Sequence, residues 1–97
     1  MSDLFDQAVA FVRSPLYIEM TARQMAIIGV AMQDAEPVRV RDMAKRLGVA
    51  KPIVTRALNT LERHGFVERL RGPDRRDRLI NVTDAGRAFR ASIGGAA

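Results

Sequence analysis

The sequence predicts one small domain, mainly α-helical, with a single small β-hairpin. Three observations carry that expectation. Most of the chain repeats its apolar residues at helical spacing, interrupted by Pro and Gly. Two short stretches, FVERLR and RLINVT, alternate apolar and polar residues instead and are joined by the charged turn GPDRRD. The length, 97 residues, sustains one hydrophobic core but not two.

Taken in order, residues 3–13 place Leu4, Phe5, Ala8, Phe11 and Val12 at amphipathic helix spacing, and Ser14-Pro15 should end that helix. Most of these apolar side chains are expected to cap the core. A second helix should start at Thr21, where Thr21 and Gln24 fit a capping box and Met20 and Met25 a hydrophobic staple. It runs through Met25, Ile27, Ile28 and Met32 to about Gln33, before Glu36-Pro37 breaks it. VRV at 38–40 is a very short candidate strand. Asp42 to Leu47 reads as a short helix with Met43, Ala44 and Leu47 inward, stopped by Gly48.

A further helix should begin near Lys51, with Pro52 in its first turn, where a missing N–H is harmless. Val54, Ala57, Leu58 and Leu61 form its apolar stripe, and Gly65 ends it. After the hairpin, Thr83 caps a last helix over 84–93, with Ala85, Ala88, Phe89 and Ile93 facing in. The expected division is an N-terminal helix and linker (1–20), the main domain (21–93) and a flexible tail (94–97).

Charge is unevenly spread. The net charge is +5, but residues 1–38 carry −3, residues 39–78 carry +7 and the remainder +1. A local positive excess of that size attracts phosphate backbones. No apolar run approaches the ~20 residues of a membrane span, and the N-terminus lacks the basic flank of a signal peptide. With no Cys, disulfides and thiolate metal sites are excluded, and the expected location is the cytoplasm.

The two helices around Gly48 form a helix-turn-helix, with Ala44, Gly48 and Val54 at the packing positions of that motif. Opposite its apolar stripe, the second of these helices presents Lys51, Pro52, Thr55, Arg56, Asn59 and Arg63. Arg can bond guanine O6 and N7 together, Asn can do the same with adenine, and the Thr methyl can meet thymine. The hairpin that follows is then a wing, and the whole a winged helix-turn-helix of the α+β class. Arginines at a wing tip suit the focused negative potential of a narrow minor groove. Asp74 and Asp77 are expected to pair with those arginines and aim them.

The run VRVRDMAKRLGVAKPIVTRALNTLERHGFVERLRGPDRRDRLINVTDAG resembles the DNA-binding core of MarR-type winged-helix transcription regulators. Four pieces carry the likeness: T-x-x-Q at Thr21 and Gln24, VTRALNTLERHGFVER at 54–69, D-x-R at Asp74 and Arg76, and T-x-x-G at Thr83 and Gly86. The resemblance implies a bacterial, sequence-specific regulator of transcription that binds double-stranded DNA. Thr55, Arg56 and their neighbours, on a recognition helix over 51–64, would read the major groove. In the wing, over 66–83, Arg76 would enter the minor groove, oriented by Asp74 and flanked by Arg75. Geometry alone assigns Lys51 and Arg78 to phosphates. Ala50 and Arg41 stand where the family often has a capping hydroxyl.

Family members generally extend further at both ends, where long helices interlock as a dimer. The expectation here is a weak homodimer through the N- and C-terminal helices, with a protein of the transcription machinery as a further partner. Catalysis is not expected: His64 reads as a solvated side chain at a helix end, Glu62 and Glu68 as ordinary surface carboxylates, and no catalytic, metal or cofactor site emerges. The alternative reading is a protein-interaction adaptor, or an antagonist of a full-length regulator.

Overall fold

The structure, a computed structural model, describes residues 3–74 and 76–93. The expected tail at 94–97 and Arg75 lie outside the described residues. Five helices and three strands follow one another as α1 (Leu4–Val12), α2 (Ala22–Gln33), β1 (Val38–Arg39), α3 (Val40–Leu47), α4 (Lys51–Arg63), β2 (Val67–Arg71), β3 (Arg78–Val82) and α5 (Asp84–Ala91). The strands form one antiparallel sheet in the order β1-β3-β2.

The capping box of α2 is present in full: Thr21 Oγ1 accepts from the Gln24 amide at 3.1 Å, and Gln24 Oε1 accepts from the Thr21 amide at 3.0 Å. Gly48 closes α3 in the left-handed conformation, φ 66°, which a residue without Cβ adopts at no steric cost. Ile27, Ile28, Met43, Val54, Leu58, Leu61 and Ile80 are fully buried, so α2, α3, α4 and the sheet share a single core. The expected stripe of α4 is therefore the buried one.

Three expectations are corrected. β1 is two residues long, because Val40 already begins α3; Arg41 consequently lies inside the helix rather than at its cap, which Arg39 occupies. On α5, Ala85 and Ala88 are exposed, and Gly86 and Phe89 face inward. The reason is close docking. A Cβ built on Gly86 would lie 2.1 Å from the Phe66 carbonyl oxygen, so only glycine lets the helix approach the end of the α4–β2 turn. Thr83 secures the same approach: its hydroxyl accepts from the Gly86 amide at 3.0 Å and donates to the Gly65 carbonyl at 2.6 Å.

The third correction concerns α1. Asp3 caps it by accepting from the Asp6 amide at 2.9 Å, yet Phe11 alone of its side chains is buried. Phe11 sits edge-on to Tyr17 (5.0 Å) and Phe89 (5.8 Å), and Phe89 stacks on Phe66 at 4.4 Å. Leu4, Phe5, Val9 and Val12 remain exposed. One aromatic anchor thus ties the helix to the body, while most of its apolar side chains stay exposed among the described residues.

Candidate nucleic-acid interface

The wing is built so that one face changes character along its length. Directly opposed residues of β2 and β3 share a face: Val67 with Val82, Arg69 with Ile80, and Arg71 with Arg78. At its base that face is apolar and joins the core. Two residues further out it turns basic, where the strands leave the body. Burial at the base thus fixes the register that presents arginines beyond it.

The sequence-derived site residues of α4 are all available to solvent, with Thr55 half-buried and Lys51, Pro52, Arg56, Asn59 and Arg63 exposed. Their surroundings divide them. Lys51 and Thr55 border a concavity of about 340 Å³ whose other walls include Arg76 and Arg78 of the wing. Helix and wing therefore contribute to one surface. Arg56 borders a shallow groove with Lys51, Pro52 and Thr55, and a second one with Thr21, Arg23 and Gln24 at the start of α2. Arg63 lies at the far end of α4, where its Nη2 donates to Thr60 Oγ1 at 3.2 Å.

Asn59 is not isolated. Its Oδ1 accepts from Arg69 Nη2 at 2.7 Å, and the same Nη2 pairs with Glu62 Oε1. Glu62 Oε2 also accepts from the Arg69 backbone amide at 3.3 Å. Glu62 is thus a clamp between α4 and β2 rather than an ordinary surface carboxylate. Glu68 likewise has a partner, accepting from Asn81 Nδ2 across the hairpin at 2.9 Å. His64 caps the end of α4, exposed as expected, with its ring 5.6 Å from that of Phe66.

The two wing aspartates behave differently from each other. Asp74 Oδ1 accepts from the backbone amide of Arg76 at 3.1 Å, which shapes the turn. Asp77 is buried and makes ion pairs with Arg39 (3.4 Å) and Arg41 (3.6 Å), which come from the β1–α3 junction and not from the wing tip.

Arg39, Arg41 and Arg69 also line the 340 Å³ concavity, and sequence reading missed all three. Their signal was present: each lies in the +7 segment, and strand alternation puts Arg69 on the inward face. Nor does any side chain cap the N-terminus of α3 or α4. Helix N-termini without a side-chain cap keep amide donors for an anion. On the opposite flank Asp34 receives both Nη groups of Arg46, at 3.2 and 2.8 Å. Those hydrogen bonds, and then the carboxylate charge, raise the Arg46 pKa and tie the end of α2 to α3. Taken together, the surface from α3 through the start of α4 to the wing is a cationic cleft with one carboxylate at its base.

Residues 31–77 match the MarR family model. The fold is a winged helix like those of MarR-family structures. Among solved structures, the chain superimposes on Streptococcus pneumoniae FabT in complex with DNA, with TM-score 0.75 and 30% identity over 90% of this chain and 60% of that one. A MarR-family transcriptional regulator from Rhodococcus sp. RHA1 gives TM-score 0.71 and 27% identity, covering 87% of this chain and 54% of that one. The M. tuberculosis transcriptional regulator MOSR, also in complex with DNA, gives 0.66 and 30%, covering 73% and 50%. The chain thus spans between half and three fifths of the length of these proteins. A sequence search of curated proteins returns no match. The MarR family is one of transcription regulators, not enzymes.

Proposed function

We propose that this chain is a sequence-specific, double-stranded DNA-binding regulator of transcription. The observation that carries the proposal is the cationic cleft, which joins the N-terminal half of α4 to the wing. In this reading the recognition helix occupies the major groove and the wing the minor groove. Thr55 and Arg56 meet base edges, and Asn59 adds its Nδ2 donor while Arg69 holds its carbonyl. Lys51, Arg63 and Arg78 meet phosphates. Arg76, on a turn shaped by Asp74, enters the minor groove beside Arg75. That two of the similar structures are DNA complexes supports the reading.

The same proposal includes a weak homodimer through α1 and α5. The exposed apolar residues of α1 also favour a second reading, an interaction module that docks a protein of the transcription machinery or a longer regulator.

The test is selection of bound duplexes from a randomised pool near physiological salt. Enrichment of an inverted repeat with half-sites about one turn apart supports a dimeric reader, and a single half-site a monomeric one. Enrichment of nothing moves the interaction reading to the front. On the selected site, Arg56→Ala should cost ~1–3 kcal/mol while leaving random duplex affinity nearly unchanged, since base contacts specify and phosphate contacts position. Equal losses on both duplexes would remove Arg56 from base readout.

A further inference from the structure

The wing turn is organised around Asp77. Its side chain is 5% exposed, although it sits in the most charged segment of the chain. Its amide donates to the Asp74 carbonyl at 3.0 Å, and its own carbonyl accepts from the Gly72 amide and from Arg78 Nη1, each at 3.2 Å. Gly72 is required there, because a Cβ on it would lie 2.7 Å from Asp77 Cβ. The chain has closed tightly over a carboxylate, at the base of the cleft in which the proposed reading seats DNA.

That carboxylate faces two cations from another part of the molecule. Arg39 precedes α3 and Arg41 stands in its first turn, while Asp77 belongs to the wing. Distances of 3.4 and 3.6 Å are ion-pair distances rather than tight hydrogen bonds, and both guanidinium groups stay partly exposed. Such a bridge does two things together. It fastens the turn end of the wing to the start of the helix-turn-helix, beside the pairing of Arg39 with Leu79, and so bears on where Arg76 stands relative to α4. It also withholds part of the charge of Arg39 and Arg41 from any phosphate entering the cleft.

We infer that Asp77 is an internal counter-ion that positions the wing and limits indiscriminate phosphate binding, and so determines specificity; this inference rests on the DNA-binding reading. Asp77 occupies the place a phosphate oxygen would otherwise take between Arg39 and Arg41. Affinity for arbitrary duplex is lowered by that occupancy, whereas affinity for the selected site gains from a wing held in one orientation.

Asp77→Asn keeps the shape of the side chain and removes its charge. Without DNA, hydrogen exchange at wing amides such as Gly72 should accelerate, with the α4 amides unchanged. With DNA, random duplex affinity should rise and its log–log salt dependence steepen by about one to two phosphate contacts, at a slope of ~0.9 each. The ratio of selected-site to random affinity should fall several-fold. The double variant Arg39→Gln, Arg41→Gln should loosen the wing in the same way but weaken random binding and flatten the salt slope. Opposite salt effects with a shared loss of wing protection are the signature of a counter-ion, which a purely structural aspartate would not produce. If the wild type binds DNA and Asp77→Asn leaves wing exchange, salt slope and affinity ratio unchanged, this inference fails alone. If the wild type shows no salt-dependent duplex binding, the DNA reading fails and takes the specificity role with it.

Discussion

The helices α4 and α1 carry the same kind of apolar spacing and meet opposite fates. Val54, Ala57, Leu58 and Leu61 of α4 are buried to the last residue, whereas of α1 only Phe11 is. Helical periodicity states that a face wants cover; it does not state what covers it. For α4 the cover is assembled by α2, α3 and the sheet, all bound into one core. For α1 the chain offers Tyr17 and Phe89, enough to grip a single ring. A stripe on a helix is therefore a demand on the fold, and the demand is met only where several elements converge.

Substitutions along these helices should separate them sharply. The largest effect is expected at Leu58→Ala, which empties a fully buried position on α4 and should cost ~2–5 kcal/mol of folding stability in chemical denaturation. A loss below 1 kcal/mol would mean that the core around α4 is looser than its burial indicates. Next comes Gly86→Ala on α5, where the added methyl meets the backbone of Phe66; overpacking of this kind should cost ~1–3 kcal/mol. Thermal unfolding at unchanged stability would show that α5 can draw away from the α4–β2 turn at no cost.

The smallest effect is expected on α1. Phe5 is 79% exposed, so Phe5→Ser should change the stability of the dilute protein by no more than ~0.5 kcal/mol. Sedimentation of the same variant sharpens the comparison. If α1 mediates self-association, Phe5→Ser should reduce it while leaving stability alone. A large loss of stability at low concentration would instead place α1 on the core, and the contrast with α4 would vanish.

Much of the fold was legible because its signals are local. The capping box at Thr21, the left-handed Gly48, Pro52 in the first turn of α4 and the strand alternation on either side of GPDRRD each follow from steric or hydrogen-bonding rules within a few residues. The α4 face of the candidate site was legible for the same reason, since helical spacing alone separates Lys51, Thr55, Arg56 and Asn59 from the buried stripe. Misreadings arose where the answer depended on a distant partner. Ala85 and Ala88 looked inward by composition, but the 2.1 Å approach at Gly86 turns another face to the core. Glu62 looked solvated until β2 delivered Arg69 beside it.

By itself, then, the sequence determined a helix-turn-helix followed by a charged hairpin, with the positive excess confined to residues 39–78. Spacing, caps and turn residues act over one or two turns of chain, and they are complete in the sequence. Only the tertiary structure decided that Arg39, Arg41 and Arg69 join Lys51, Arg76 and Arg78 around one cleft. It alone decided that Asp77 lies beneath them instead of pointing to solvent. The physical reason is that charges interact through space, not along the chain. The Asp77 pairs with Arg39 and Arg41 reach across more than thirty-five residues, and no local rule records which cation a carboxylate will meet once the core has closed.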